Sequence, residues 1–287
     1  MEVIHSIKER SYAKGDDIDK MYFPNTGIRG VAQMIPSRDS VPKLVTIPNS
    51  RVIVNRDNDH PFAVVTDGYQ MVTHQEVIQK ADEIVRECPE WGTPTREAWM
   101  SNYGGRLRYR HTFNEIDFEI RPGDVVHPTL ETFASYDTSL AQREVLGGFR
   151  VVCVNGATVG KLLAEYKRKH TASLDLEAAK RIIVEGMRNY SIVTDLWKSL
   201  ANRAAFLEEV NAFEGIGFNK NERIAIEREI REQGTVKQWD DQDKEKRQVD
   251  INAWDLYNIY TAEATHRVSD LTRQARITTG IANTFVH

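Results

Sequence analysis

Between residues 50 and 155 apolar and polar positions alternate with a period of two, the signature of strands with one buried face. Two β-branched runs, RVIVN (51–55) and FAVVT (62–66), flank the turn-prone RDNDHP. Further on, RLRYRHTF sets Leu107, Tyr109, His111 and Phe113 on one face and Arg106, Arg108 and Arg110 on the other. IDFEI places Ile116, Phe118 and Ile120 inward, and the short NE before it predicts a hairpin with the arginine strand. TLETFASY (129–136) and GFRVVCV (148–154) read as two more strands. A helical period interrupts this region once, in HQEVIQKADEIVREC. There Val77, Ile78, Ala81, Ile84 and Val85 share a face, and Pro89 stops the helix.

From about residue 158 the period changes. VGKLLAEYKRKH predicts a short helix, and Ser173 an N-cap for a long one carrying Leu176, Ala179, Ile182, Ile183, Val193, Leu196, Trp197 and Leu200. The glycines of EGIGF break the chain, and Asn219 or Asn221 caps ERIAIEREIREQ. After the charged loop KQWDDQDKEKRQ a last helix is expected from about Asp250, with Trp254, Tyr257 and Ile259 or Tyr260 on its apolar side. Strands followed by helices predict an α+β fold: a mostly antiparallel sheet with one packed helix in the N-terminal half, and a helical C-terminal half. The expected division is an extended, proline-containing arm over 1–48, a sheet domain over 49–157, and a helical region over 158–287, separate from the sheet or continuous with it.

Bulk properties narrow the classes. The net charge of −4 offers no global attraction to nucleic acid or anionic membrane, so any polyanion site must be a local patch. No apolar run approaches the roughly 20 residues a membrane span needs, and MEVIHSIKER lacks a signal-peptide core. Cys88 and Cys153 lie too far apart in sequence to suggest a disulfide framework or zinc spacing. The eight histidines form no metal-ligand motif. The expectation is a cytosolic protein with no cofactor and no metal.

FRVVCVNGATVGKLL (149–163) has the look of a phosphate-binding loop. Gly156 to Gly160 spans one residue too few for that motif, and Leu162 stands where its magnesium-binding hydroxyl belongs. Asn155-Gly156 reads instead as a tight turn at a strand end. RVVCVNG (150–156) resembles the Arg-x-x-Cys-x-Asn-Gly signature of a phage- and plasmid-borne family of domains of unknown function. Similar segments follow that family's order: PFAVVTDGYQMVTHQEVI (61–78), SYDTS (135–139, with Thr138 for the usual glycine), KHTASLDLEAAK (169–180) and AWDLYNIYTAEATH (253–266). The resemblance implies a nucleic-acid-related role in a bacterial host cytoplasm, with Ser135, Asp137, Cys153, Asn155 and Gly156 as its motif residues, and with His170 and His266 recurring.

Two basic features carry candidate chemistry. Arg106, Arg108 and Arg110 project about 7 Å apart from one strand face, close to the phosphate spacing of an extended single strand. Pairing with Glu115, Asp117 and Glu119 across the expected hairpin is the structural alternative. Between 143 and 203, eleven Lys and Arg stand against six Asp and Glu, among them Arg143, Arg150, Lys161, Lys167, Arg168 and Lys169. Tyr109, with Tyr103 and Tyr136, offers stacking surfaces for bases or else fills the core. The leading expectation is a non-enzymatic homo-oligomer that binds single-stranded nucleic acid, DNA foremost, for annealing or recombination. The alternatives are an enzyme built around Ser135, Asp137, Cys153 and Asn155, and a host-interaction protein without nucleic-acid binding.

Overall fold

Period-two alternation yields strands at 51–55, 62–66, 106–112 and 129–135, while 151–154 of the expected GFRVVCV strand lie outside the described residues. A computed structural model of the chain describes residues 11–35, 43–150, 155–157, 165–168 and 175–285. The strands of the first half are β1 (Ser11–Lys14), β2 (Thr26–Ile35), β3 (Lys43–Asn55), β4 (His60–Thr66), β5 (Thr95–Ser101), β6 (Arg106–Thr112), β7 (Phe118–Arg121) and β8 (Asp124–Ser135). Then come β9 (Gln142–Arg150), β10 (Asn155–Ala157) and β11 (Glu165–Arg168). Helix α1 (His74–Arg86) lies between β4 and β5. Thr73 and Glu76 close a reciprocal capping box at its start.

The main sheet runs β1-β5-β6-β8-β9-β10, with β11 also on β9 and β7 on β8; every recorded pairing in it is antiparallel. A second sheet, β2-β3-β4, carries the two β-branched runs as neighbours. The C-terminal half supplies α2 (Leu176–Arg188), α3 (Ser191–Ala201), α4 (Leu207–Asn211), α5 (Phe213–Ile216) and α6 (Lys220–Gln233). A small ribbon of β12 (Thr235–Gln238) and β13 (Gln248–Asp250) precedes α7 (Ala253–His266) and α8 (Leu271–Phe285). The α+β expectation stands: sheets lead and helices follow.

Several local expectations change, each for a physical reason. Within the supposed arm, residues 11–21 pack on the main sheet, and β2 and the start of β3 form a second sheet. β1 completes the edge of β5, and Ala13, Ile18 and Met21 bury against Ala98, Met100 and Leu107. The arginine strand is not in a hairpin with β7. Its partners are β5 and β8, while β7 pairs with β8, because Phe113–Asp117 carries the chain away from the arginine strand. Residues 165–168, expected as helix, extend the sheet on β9, with Tyr166 buried. Asn155 and Gly156 are strand residues in β10, facing Arg150 and Phe149, rather than a turn. The long helix after 173 divides at Asn189–Tyr190, and its N-cap is Asp175, whose carboxylate accepts from the backbone of Glu177 and Ala178; Ser173 lies outside the described residues. The last helix is two, α7 capped by Asn252 and α8 beyond it.

Helices cover both faces of the main sheet. On one, Leu107, Tyr109 and Ala134 meet Val77 and Ala81 of α1, and Leu130 and Leu146 meet Ile183, Val193 and Trp197 of α2 and α3. Gly148 makes that second contact close: a β-carbon there would stand 2.3 Å from the Trp197 ring and 2.4 Å from Val126. Trp197 in turn packs on Trp254 of α7, ring centroids 5.8 Å apart. On the opposite face lies α8.

One buried acid sits on the α1/α2 side. Glu144 accepts from Gln142 Nε2 at 2.6 Å, and its Oε2 has no hydrogen-bond partner. Burial pushes its carboxyl up to about 7, the Gln142 hydrogen bond opposing only in part. Because the folded value lies above the ordinary 4.5, the folded state holds the proton longer, and stability falls as pH rises from about 4.5 to about 7. Glu144→Gln is expected to raise the thermal midpoint at pH 8 and leave it unchanged at pH 4, which a pair of melting curves checks.

Candidate nucleic-acid interface

The three strand arginines do lie on one face, and that face is closed. Arg108 and Arg110 are buried, and both bond to one carboxylate, Glu131 of β8. Arg108 Nη2 donates to its Oε1 at 2.6 Å and Arg110 Nε at 2.8 Å. Arg108 Nη1 also donates to Gln274 of α8 at 2.7 Å. The Trp99 ring lies 5.0 Å from the Arg108 guanidinium and 5.2 Å from that of Arg110. Burial pushes the Glu131 carboxyl up, but the two guanidiniums overcome it and hold it at about 2. The expected phosphate ladder is therefore corrected: Arg108 and Arg110 spend their charge on Glu131, not on Glu115, Asp117 or Glu119, and α8 lies over them. Tyr109 faces the opposite core, its hydroxyl donating to Asp82 at 2.7 Å, so it offers no ring to a base.

Arg106 ends this layer and ties three segments together. Its Nε donates to Asp137 Oδ2 at 2.5 Å, and its Nη1 to Asp270 Oδ2, just before α8, at 2.6 Å. Asp137 also accepts from Asn102 Nδ2 at 2.7 Å, from the Ser139 amide at 3.0 Å, and from the Ser139 hydroxyl. Burial raises the Asp137 carboxyl, and the Ser139 and Arg106 hydrogen bonds bring it below the usual range. Ser135 Oγ closes the same turn, donating to Leu140 O at 3.1 Å and accepting from the Leu140 amide at 3.0 Å. The Tyr136 hydroxyl accepts from the His74 amide at 2.7 Å, at the start of α1. Thr138 sits at φ 59° in this turn, where the resemblance expects glycine. SYDTS is thus a knot between β8 and β9 whose polar side chains bond to one another and to Asn102, Arg106, His74 and Leu140.

Beside the knot opens a cleft of about 730 Å³, bounded by the 139–141 turn, β9, β11, α5 and one face of α8. Arg143, Lys167 and Arg276 line it with Ser139, Thr272 and Thr279, and among the described residues no Asp or Glu does. Lys167 and Arg276 are exposed. Arg143 is buried beneath the floor, with Nε 2.7 Å from Glu165 and Nη1 donating to Ala275 O at 3.2 Å. Such a volume lies within the range of about 300–1,000 Å³ typical of ligand sites. Its lining is more apolar than polar, and its charged part is wholly positive among the described residues, which suits an anion. A smaller cavity of about 320 Å³ between α6 and α7, which includes His266, mixes Arg228 and Arg267 with Glu229 and Glu263 and carries no such excess.

Of the remaining basic candidates, Arg168 is exposed on β11 but points away from Lys167 by strand alternation, its guanidinium 5.7 Å from the Tyr166 ring. Arg150 is described only as backbone in β9. Lys161, Lys169, His170 and Cys153 lie outside the described residues. Tyr136 is buried, and half-buried Tyr103 packs at a tilt against His60, ring centroids 4.2 Å apart. Sequence reasoning missed Arg276. The signal was the polar stripe Thr272, Arg276, Thr279, Asn283 at helical spacing in the final segment. Among the described residues no three His, Cys, Asp or Glu gather as a metal site, and no helix is long and apolar enough to cross a membrane.

Compared with known proteins, residues 61–284 match the family model of a domain of unknown function, DUF932. No curated protein and no solved structure matches the chain.

The buried arginine–glutamate layer has a pH signature. The Glu131 carboxyl titrates lower folded than unfolded, so its contribution to stability is full above about 4.5 and is lost as pH falls toward about 2. Glu131→Gln leaves two buried guanidiniums without their anion and is expected to cost about 3–5 kcal/mol at pH 7. Its acid-unfolding curve is expected to be flatter than wild type below pH 4.5. Urea titrations at a series of pH values measure both.

Proposed function

We propose that this chain, which belongs to the DUF932 family of domains of unknown function, binds single-stranded nucleic acid, the strand's phosphates lying in the cleft between β9, β11 and α8. The observation that carries the reading is the cleft's charge: among the described residues three cations and no carboxylate line it, only Arg143 being paired with an acid behind it, Glu165, in a protein of net charge −4. Among the described residues its one lining aromatic ring, Phe133, is buried, which favours sequence-independent contact through phosphate over base stacking. A concave site of this size admits a flexible single strand more readily than a duplex. DNA is the first substrate to test. The motif resemblance supports a setting on phages or plasmids, where replication and recombination in a bacterial cytoplasm supply such strands. Assembly into a homo-oligomer is supported by the β2–β3 ribbon, which leaves Leu44 and Val45 exposed although they project to opposite faces.

Fluorescence anisotropy with a labelled, hydroxyl-ended (dT)15 across a salt series tests the reading. Two to three phosphate contacts give a slope of log K against log salt of about −1.4 to −2.1. A duplex of equal length is expected to bind more weakly. Thr279→Glu, which sets a carboxylate on the cleft wall, is expected to abolish binding without unfolding α8. No binding at low salt, or binding indifferent to Thr279→Glu, would refute the cleft as the strand site.

A further inference from the structure

We infer that the cleft contains a built phosphate seat, formed by Arg143 below and by Lys167 and Arg276 at its rim. The inference deepens the strand-binding reading and rests on it for the source of the phosphate, but not for the anion chemistry.

Three observations converge. Lys167 stands directly across from Arg143 in the β9–β11 register, so the two side chains leave the same face as nearest cross-strand neighbours. Like charges in that position repel unless an anion lies between them. Arg276 follows Ala275, the residue whose carbonyl Arg143 bonds, so α8 delivers a third cation to the same wall. Finally, Arg143 is only 5% exposed, and its Nη2 has no hydrogen-bond partner. A buried guanidinium with an unspent donor is costly by itself and becomes favourable when an oxyanion accepts from it.

Glu165, 2.7 Å from Nε, offsets one of the three charges as an ion pair without a formed hydrogen bond, so Nε too is without a hydrogen-bond partner. The two charges that remain match one phosphomonoester dianion or two backbone phosphodiesters. The shared chemistry is a phosphate oxyanion, whose source is a strand backbone, a strand end or a free nucleotide.

The test uses the full chain with inorganic phosphate, dTMP, thymidine and hydroxyl-ended (dT)15 as probes. Binding is read by ³¹P NMR line broadening, by the thermal midpoint and by anisotropy. Phosphate and dTMP are expected to broaden and to raise the midpoint, and thymidine to do neither. Arg276→Gln, on the exposed helix face where folding is not at stake, and Arg143→Gln, with its midpoint as a folding control, are each expected to weaken phosphate binding roughly tenfold. If (dT)15 also binds, competes with phosphate and weakens in both variants, the backbone is the source and both readings stand. Binding of dTMP without (dT)15 keeps the seat and overturns strand binding in favour of a free nucleotide or strand end. If (dT)15 binds equally to all variants while phosphate stays sharp, the seat is overturned and strand binding survives. If nothing binds, both are overturned.

Discussion

The fold turns on one buried carboxylate shared by two buried guanidiniums. Glu131 lies at the centre of the main sheet, and Arg108 and Arg110 on the adjacent strand both bond to it. Moving these charges out of water costs several kcal/mol per ion, a cost offset only when geometry and additional hydrogen bonds are both good. The requirement propagates outward. The helix covering this face cannot be simply apolar. It must bring Gln274 to Arg108 and a backbone carbonyl to Arg143, and the segment just before it must bring Asp270 to Arg106. The position of α8 is therefore set by polar contacts on one side and by its packing with α7 on the other.

That placement creates the cleft. The knot at Asp137 holds the β8–β9 turn, and through Arg106 it holds the start of α8, so both walls hang on one residue pair. The arginines most visible in the sequence thus act as framework. The cations available to a ligand lie one layer further out, at Lys167 and Arg276, with Arg143 linking the two layers. Arg143 is buried like a structural residue but retains a donor without a hydrogen-bond partner.

How much of this could be read from the chain depended on the range of the interactions involved. Helix α1 was legible because its signals are local: apolar residues at helical spacing and a proline just beyond. The face alternation of β6 was legible for the same reason. Its partners were not, since Glu131 lies 21 residues from Arg110 and Gln274 lies 166 from Arg108. The apparent pairing with Glu115, Asp117 and Glu119 was a local guess at a non-local problem. β11 was misread as helix because four residues hold no period, and only the β9 edge makes them a strand. The apolar pattern read in the final segment stops at Tyr260, and the polar face of α8 beyond it, which meets buried arginines and lines the cleft, gave no apolar signal of a separate packed helix. With the helix unrecognised, Arg276 could not be assigned to the site.

Amide hydrogen exchange with and without saturating (dT)15 addresses the central claim most directly: the cleft takes the strand while the arginine layer remains framework. The account predicts slowed exchange in α8 over residues 275–284 and in the 139–141 turn, with β5 and β6 unchanged. Protection confined to β1, β5 and β6, or release of α8 on binding, would mean that the strand reaches Arg106, Arg108 and Arg110 after all, and would contradict it.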